Sequence, residues 1–125
     1  MTAWYADSKF SLGTNEIQFF HSEEEPYPWI RFQLNRRTII TSVTVHNRKF
    51  NRGERLAKLE VRAGLRNDLT NQILGRFDGP GKSGHAYVIS TTTQLIAEFV
   101  SLQLRLKMGI LQIQGLVLNE FPIHS

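Results

Sequence analysis

The chain contains no cysteine, which excludes a disulfide framework, a thiolate metal centre and a thiol nucleophile, and leaves the redox compartment open. Long hydrophobic runs are missing too: no stretch approaches the ~18 consecutive apolar residues that a spanning helix needs. Met1 to Leu12 lack the basic-then-apolar layout of a secretory signal, so no retained signal is expected. Internal repeats, linkers and low-complexity tracts are also absent. The hydrophobic share of 41% and charged share of 21% are ordinary for a folded domain and exclude disorder and collagen-like repeats. A length of 125 residues supplies one domain, spanning 1–125, and leaves no room for a second.

The parts of common enzymes are lacking as well. There is no G-x-S-x-G elbow, no phosphate-cradling glycine loop and no H-E-x-x-H. Glu23, Glu24 and Glu25 are adjacent and do not form the separated acid and base that glycoside hydrolysis requires. His21, His46, His85 and His124 are scattered, a pattern more typical of surface or hydrogen-bonded histidines than of metal ligands. The expectation is a binding protein and not an enzyme.

What is present is an uneven charge. Ten of the fifteen basic residues fall between Arg31 and Arg66, opposed there only by Glu54 and Glu60, while Glu23–Glu25 form an acidic run ahead of Pro26. Such a segment attracts phosphate, sulfate or sialic acid groups if its charges share a face; a merely solvated surface is the alternative.

Helical spacing is weak, whereas period-two alternation is frequent. Val100, Leu102, Leu104 and Leu106 alternate with Ser101, Gln103, Arg105 and Lys107. Ile30, Phe32 and Leu34 alternate with Trp29, Arg31 and Gln33; Leu59, Val61 and Ala63 alternate with Lys58, Glu60 and Arg62. Thr38 to His46 is rich in β-branched residues, and Leu111, Ile113 and Leu116–Leu118 continue the pattern around Gly115. Turn signals separate these runs at Asn35, Asn51–Gly53, Gly64–Asp68, Asp78–Gly81 and Ser83-Gly84. Thr93–Glu98 reads as a short helical turn. The pattern predicts an all-β, antiparallel sandwich or barrel with Ile30, Phe32, Leu34, Leu59, Val61, Leu102 and Leu104 inward and Arg31 and Gln103 outward.

One group of residues is rich in donors. His21 precedes a Pro-Trp strand, Arg48 ends the next strand, and Arg55 closes the loop that begins there. An imidazole and two guanidinium forks suit a sugar, whose oxygens accept hydrogen bonds in a fixed pattern. Phe50 offers an apolar face beside them. Solvated loop arginines, with Glu54 as a partner, are the alternative reading.

The runs Phe20-His21-Ser22, Pro28 to Leu34, Thr41 to Arg48, Gly53 to Leu56, Leu59 to Gly64, Phe99 to Leu104 and Leu111 to Leu118 together resemble an F-type lectin (fucolectin) domain of the discoidin, or coagulation-factor type C, superfamily. The resemblance extends from about Ala6 to Phe121. In that family's motif the histidine stands 27 positions before the first arginine and the second arginine seven after it, the spacing of His21, Arg48 and Arg55 here. The resemblance implies an antiparallel jelly-roll β-sandwich of about eight strands that binds L-fucose through these three residues, beside a structural calcium ion. It adds Asn51 and Arg52 to the ligand loop, where the family often carries two adjacent cysteines, and Phe50 where it carries an aspartate. Asp7 fits the calcium loop, but Lys9 stands near a neutral oxygen ligand's position and Gly115 where a carboxylate is expected, so no bound metal or other cofactor is expected. Few residues precede His21, which predicts a missing or shortened first strand and an edge open to a partner.

The expected function is a non-catalytic module for fucose or a related glycan, extracellular by resemblance, with glycans or glycoproteins as partners and avidity through homo-oligomers or repeated copies. The competing expectation is a discoidin-like module that has lost sugar binding and contacts a protein or polyanion through the basic segment. Nucleic acid is not expected, because no aromatic platform accompanies the basic residues.

Overall fold

The computed structural model describes residues 3–5 and 20–122. Eight strands run in chain order as β1 (Ala3–Tyr5), β2 (Phe20–His21), β3 (Trp29–His46), β4 (Leu59–Gly64), β5 (Gln72–Phe77), β6 (Ala86–Leu104), β7 (Gln112–Ile113) and β8 (Gly115–Pro122). One sheet has the order β1-β3-β6-β4-β5 with β8 also on β3; β2 and β7 form a small second sheet. All the strand pairings are antiparallel. The first strand is short, at three residues.

The sandwich arises because β3 and β6 are long and interrupted. Their pairing shifts register between Gln33 and Thr38 and again between Ile40 and Ser42. The halves beyond these irregularities have different neighbours: Leu59–Gly64 pairs with Phe99–Leu104, whereas Gly115–Pro122 pairs with Thr38–His46. The second irregularity also exchanges the faces. Ile30, Phe32, Leu34 and Ile40 are buried at even positions of β3, and Val43 and Val45 at odd ones.

The core follows the alternation. Ile30, Val61, Leu102 and Leu104 are wholly buried, and Phe32, Leu34 and Leu59 nearly so; each such side chain stabilises the fold by about 1.5–3 kcal/mol. Two turn expectations are corrected. Asn35 lies within β3, in the bulged stretch, and Thr93–Glu98 is strand instead of helical turn. There Leu95 and Ala97 point inward while Ile96 is exposed, and β-branched Thr91–Thr93 favour the extended chain.

The outer face of β3, β6, β4 and β5 departs from a simple solvated surface. Arg31, Glu60 and Ser101 are buried there, on the side opposite the apolar core, although alternation alone places Arg31 in water. Polar partners make this tolerable. Arg31 Nε donates to Asn67 Oδ1 at 2.8 Å and its guanidinium lies 4.9 Å from the Trp29 ring centre. Glu60 accepts from Arg62 at 2.9 Å and from Arg76 at 3.3 Å.

Candidate functional site

The loop after β3 is fastened at its foot by Asn47. This buried side chain donates through Nδ2 to the carbonyls of Gly53 and Lys82, both at 3.0 Å, and accepts through Oδ1 from the Arg48 amide at 2.9 Å. Its own amide donates to His85 O at 3.0 Å. Asn47 thus ties its loop to the one spanning 78–85, and Gly84 N adds a bond to Arg48 O at 2.7 Å.

Gly53 completes the fastening. Its amide donates to Ser83 Oγ at 3.0 Å, and any Cβ on it collides with the Ser83 backbone nitrogen, so only glycine permits this approach. Arg52 enters the left-handed region at φ 62° to start the 3-10 turn Gly53–Arg55. Arg55 N and Leu56 N then donate back to Arg52 O and Gly53 O, each at 3.1 Å, and Leu56 buries itself beneath them.

Arg48 and Arg55 occupy the two feet of this loop and are half-buried. Among the described residues, no hydrogen bond or ion pair engages either guanidinium. Lys49 to Arg52 form the exposed tip, with Phe50 91% exposed.

His21 reaches the same end through a different ladder. It pairs with Gln112 across β2 and β7, and Ser22 locks this pair through Ser22 N to Leu111 O at 2.9 Å and Leu111 N to Ser22 Oγ at 2.8 Å. Two residues after β7 begins, Gln114 N donates to His46 O at 2.7 Å, and Gly115 then pairs with His46. The strand bearing His21 therefore lies at the end of β3 from which Arg48 emerges. His21 Nδ1 donates to Ser22 O at 2.7 Å. A carbonyl can only accept, so Nδ1 carries the proton in this bond.

Sequence reasoning missed Asn47, Ser83 and Gln112. The turn signals at Asn51–Gly53 and Ser83-Gly84 were the visible trace of the first two, but not that the turns pack on one another. Gln112 is buried opposite His21, and among the described residues neither atom of its amide has a hydrogen-bond partner. No group of three or more acidic or histidine side chains among the described residues is arranged to hold a metal. Asp7 and Lys9 lie outside the described residues.

This fold is that of discoidin-like carbohydrate-binding domains, and more particularly that of F-type lectins. The structure of a fucolectin from striped bass (Morone saxatilis) serum is similar over 83% of this chain at 25% identity and a TM-score of 0.78. The chain spans 36% of that protein's length. A fucose-binding module from Streptococcus pneumoniae matches 80% of this chain and 68% of its own, at 15% identity and a TM-score of 0.65. A family 32 carbohydrate-binding module from Clostridium perfringens NanJ, in complex with galactose, matches 93% of this chain and 91% of its own, at 13% identity and a TM-score of 0.73. No protein-family model matches the chain, and no curated protein matches it in sequence.

Proposed function

We propose that this domain is a non-catalytic carbohydrate-binding module that takes fucose or a related sugar on the rim formed by His21, Arg48 and Arg55. The observation that carries the reading is the fastened loop foot. Asn47, Gly53 and Ser83 fix the backbone on either side of two half-buried arginines whose donors are unspent, at the same end of the sandwich as His21. A fixed backbone beneath the two arginines spares the cost of ordering the loop on binding, which favours affinity from a small contact. Arg48 and Arg55 donate to hydroxyl and ring oxygens, His21 lines the rim beside them, and Phe50 supplies an apolar wall, with Asn51 and Arg52 contacting the outer sugars.

We infer further that the domain works without the calcium ion of F-type lectins: Gly115 brings no side-chain oxygen where that family carries a carboxylate, and a Cβ built there meets only the His46 side chain, at 3.9 Å. A shallow site of this kind gains useful strength by repetition, in oligomers or tandem copies outside the cell. Among the described residues no helix is long and apolar enough to cross a membrane.

A glycan array read at two salt concentrations tests the proposal. Fucosylated glycans should bind with little dependence on ionic strength, because the recognised groups are neutral. Binding confined to acidic glycans and abolished by salt would reject fucose as the ligand of this rim.

A further inference from the structure

A second cleft opens where β4 begins and β5 ends. It measures about 110 Å3 and is lined by Lys58, Leu59, Arg76, Phe77, Asp78 and Arg105. Backbone bonds lace its three walls together: Lys58 N donates to Asp78 O at 2.9 Å and Arg105 N to Lys58 O at 2.8 Å. The cations are held by short polar contacts. Arg76 Nε rests on Glu60 at 3.3 Å, Lys58 Nζ on Asp78 at 2.7 Å, and one Arg105 terminal nitrogen on Gln103 at 3.2 Å. The Arg105 guanidinium also lies 5.1 Å from the centre of the Tyr27 ring.

Two features point to a ligand. First, each of these contacts uses one donor of its cation, and a guanidinium has five and an ammonium three. Most of the donors around the cleft are therefore unspent among the described residues. Second, Lys58 and Tyr27 adopt left-handed backbone, with φ of 53° and 47°. Non-glycine residues in that region cost free energy and concentrate at ligand sites. Apart from these two, the described residue with a positive φ that is not glycine is Arg52, in the loop of the sugar rim.

We propose that this cleft binds an oxyanion carried on a sugar ring, a sulfate or a carboxylate. Lys58, Arg76 and Arg105 take the charge, and the apolar floor of Leu59 and Phe77 takes the C–H edge of the ring. Nucleic acid fits less well. Phe77 is already stacked on Tyr87 at 4.1 Å, and the Tyr27 ring lies 5.1 Å from the Arg105 guanidinium, so the cleft lacks a row of free rings on which successive bases stack. Asp78 is the competing anion, and its side chain, 82% exposed, leaves Lys58 readily. The site is separate from the sugar rim and does not depend on that assignment.

Calorimetric titration with a heparin-derived tetrasaccharide, a hyaluronan tetrasaccharide and a single-stranded oligonucleotide, at low and physiological salt, tests this. A sulfated or carboxylated tetrasaccharide should bind, with the comparison of the two assigning sulfate or carboxylate. Arg105→Gln and Arg76→Gln should each weaken that binding about tenfold, the loss of one charge-assisted bond. Asp78→Asn should strengthen it, and Arg48→Ala should leave it unchanged. Arg105 bonds only Gln103 among the described side chains, so its variant reports even if Arg76→Gln fails to fold. Failure of both tetrasaccharides to bind, equal binding by Arg105→Gln, or tighter binding of the oligonucleotide would overturn the proposal.

Discussion

Two sets of arginines in this sandwich are held in opposite ways. Arg62 and Arg76 are held by a carboxylate, since both reach the buried Glu60. Arg48 and Arg55 are held by backbone: Asn47 and Gly53 fix the chain on which they sit, and no carboxylate touches their guanidinium groups among the described residues. The first arrangement spends donors on the fold. The second leaves them unspent among the described residues, for a ligand on the reading proposed above, and puts the energetic burden on an uncharged asparagine. A backbone-held arginine is therefore replaceable without loss of stability, whereas its support is not.

The largest expected effect comes from breaking that support. Asn47→Ala leaves the Gly53 and Lys82 carbonyls without their donor, which should cost about 2 to 3 kcal/mol in chemical denaturation and loosen the loop enough to lose sugar binding. An unchanged midpoint would show that the loop is fixed by other means.

Next is the carboxylate-held set. Burial alone raises the Glu60 pKa, but the hydrogen bond and charge of Arg62, the bond from Arg76 and the charge of Arg105 outweigh it and hold the group below its ordinary 4.5. Glu60 thus contributes stability that is complete above 4.5 and is lost as pH falls through its lowered value. Glu60→Gln should cost about 1 to 2 kcal/mol at neutral pH, with Arg76 largely in solvent. It should also flatten the acid side of the pH–stability curve and leave sugar binding intact. Asp68, held low by the Thr70 amide and hydroxyl, keeps part of that acid slope in the variant. An acid slope identical to that of the parent chain would remove Glu60 from the account.

The smallest effect is expected from calcium. With Gly115 in place of a carboxylate, the thermal midpoint should be the same in chelator and in millimolar calcium, and a clear rise with calcium would mean a native-state site.

Much of this architecture was legible in the alternation of Ile30–Leu34, Leu59–Ala63 and Val100–Leu104, because one buried face imposes period two wherever the ladder is regular. Where it is irregular, legibility fails. The bulged stretch of β3 hid Asn35 inside a strand, and the register shift in β6 made Thr93–Glu98 look helical. Arg31 and Glu60 read as solvated because nothing in a local pattern reveals that Asn67 and Arg76, far along the chain, will meet them. At the proposed sugar rim, residue types and spacing suggested His21, Arg48 and Arg55. The Asn47 fastening depends on contacts between distant loops and carries no local signal.

The affinity of Arg48→Ala and Arg55→Ala for methyl L-fucoside, measured beside their unfolding curves, tests the central contrast most directly. Each variant should lose about 1.5 to 3 kcal/mol of binding, or about 10- to 150-fold in Kd, with its denaturation midpoint unmoved. Fucoside binding unchanged in both variants would contradict the account.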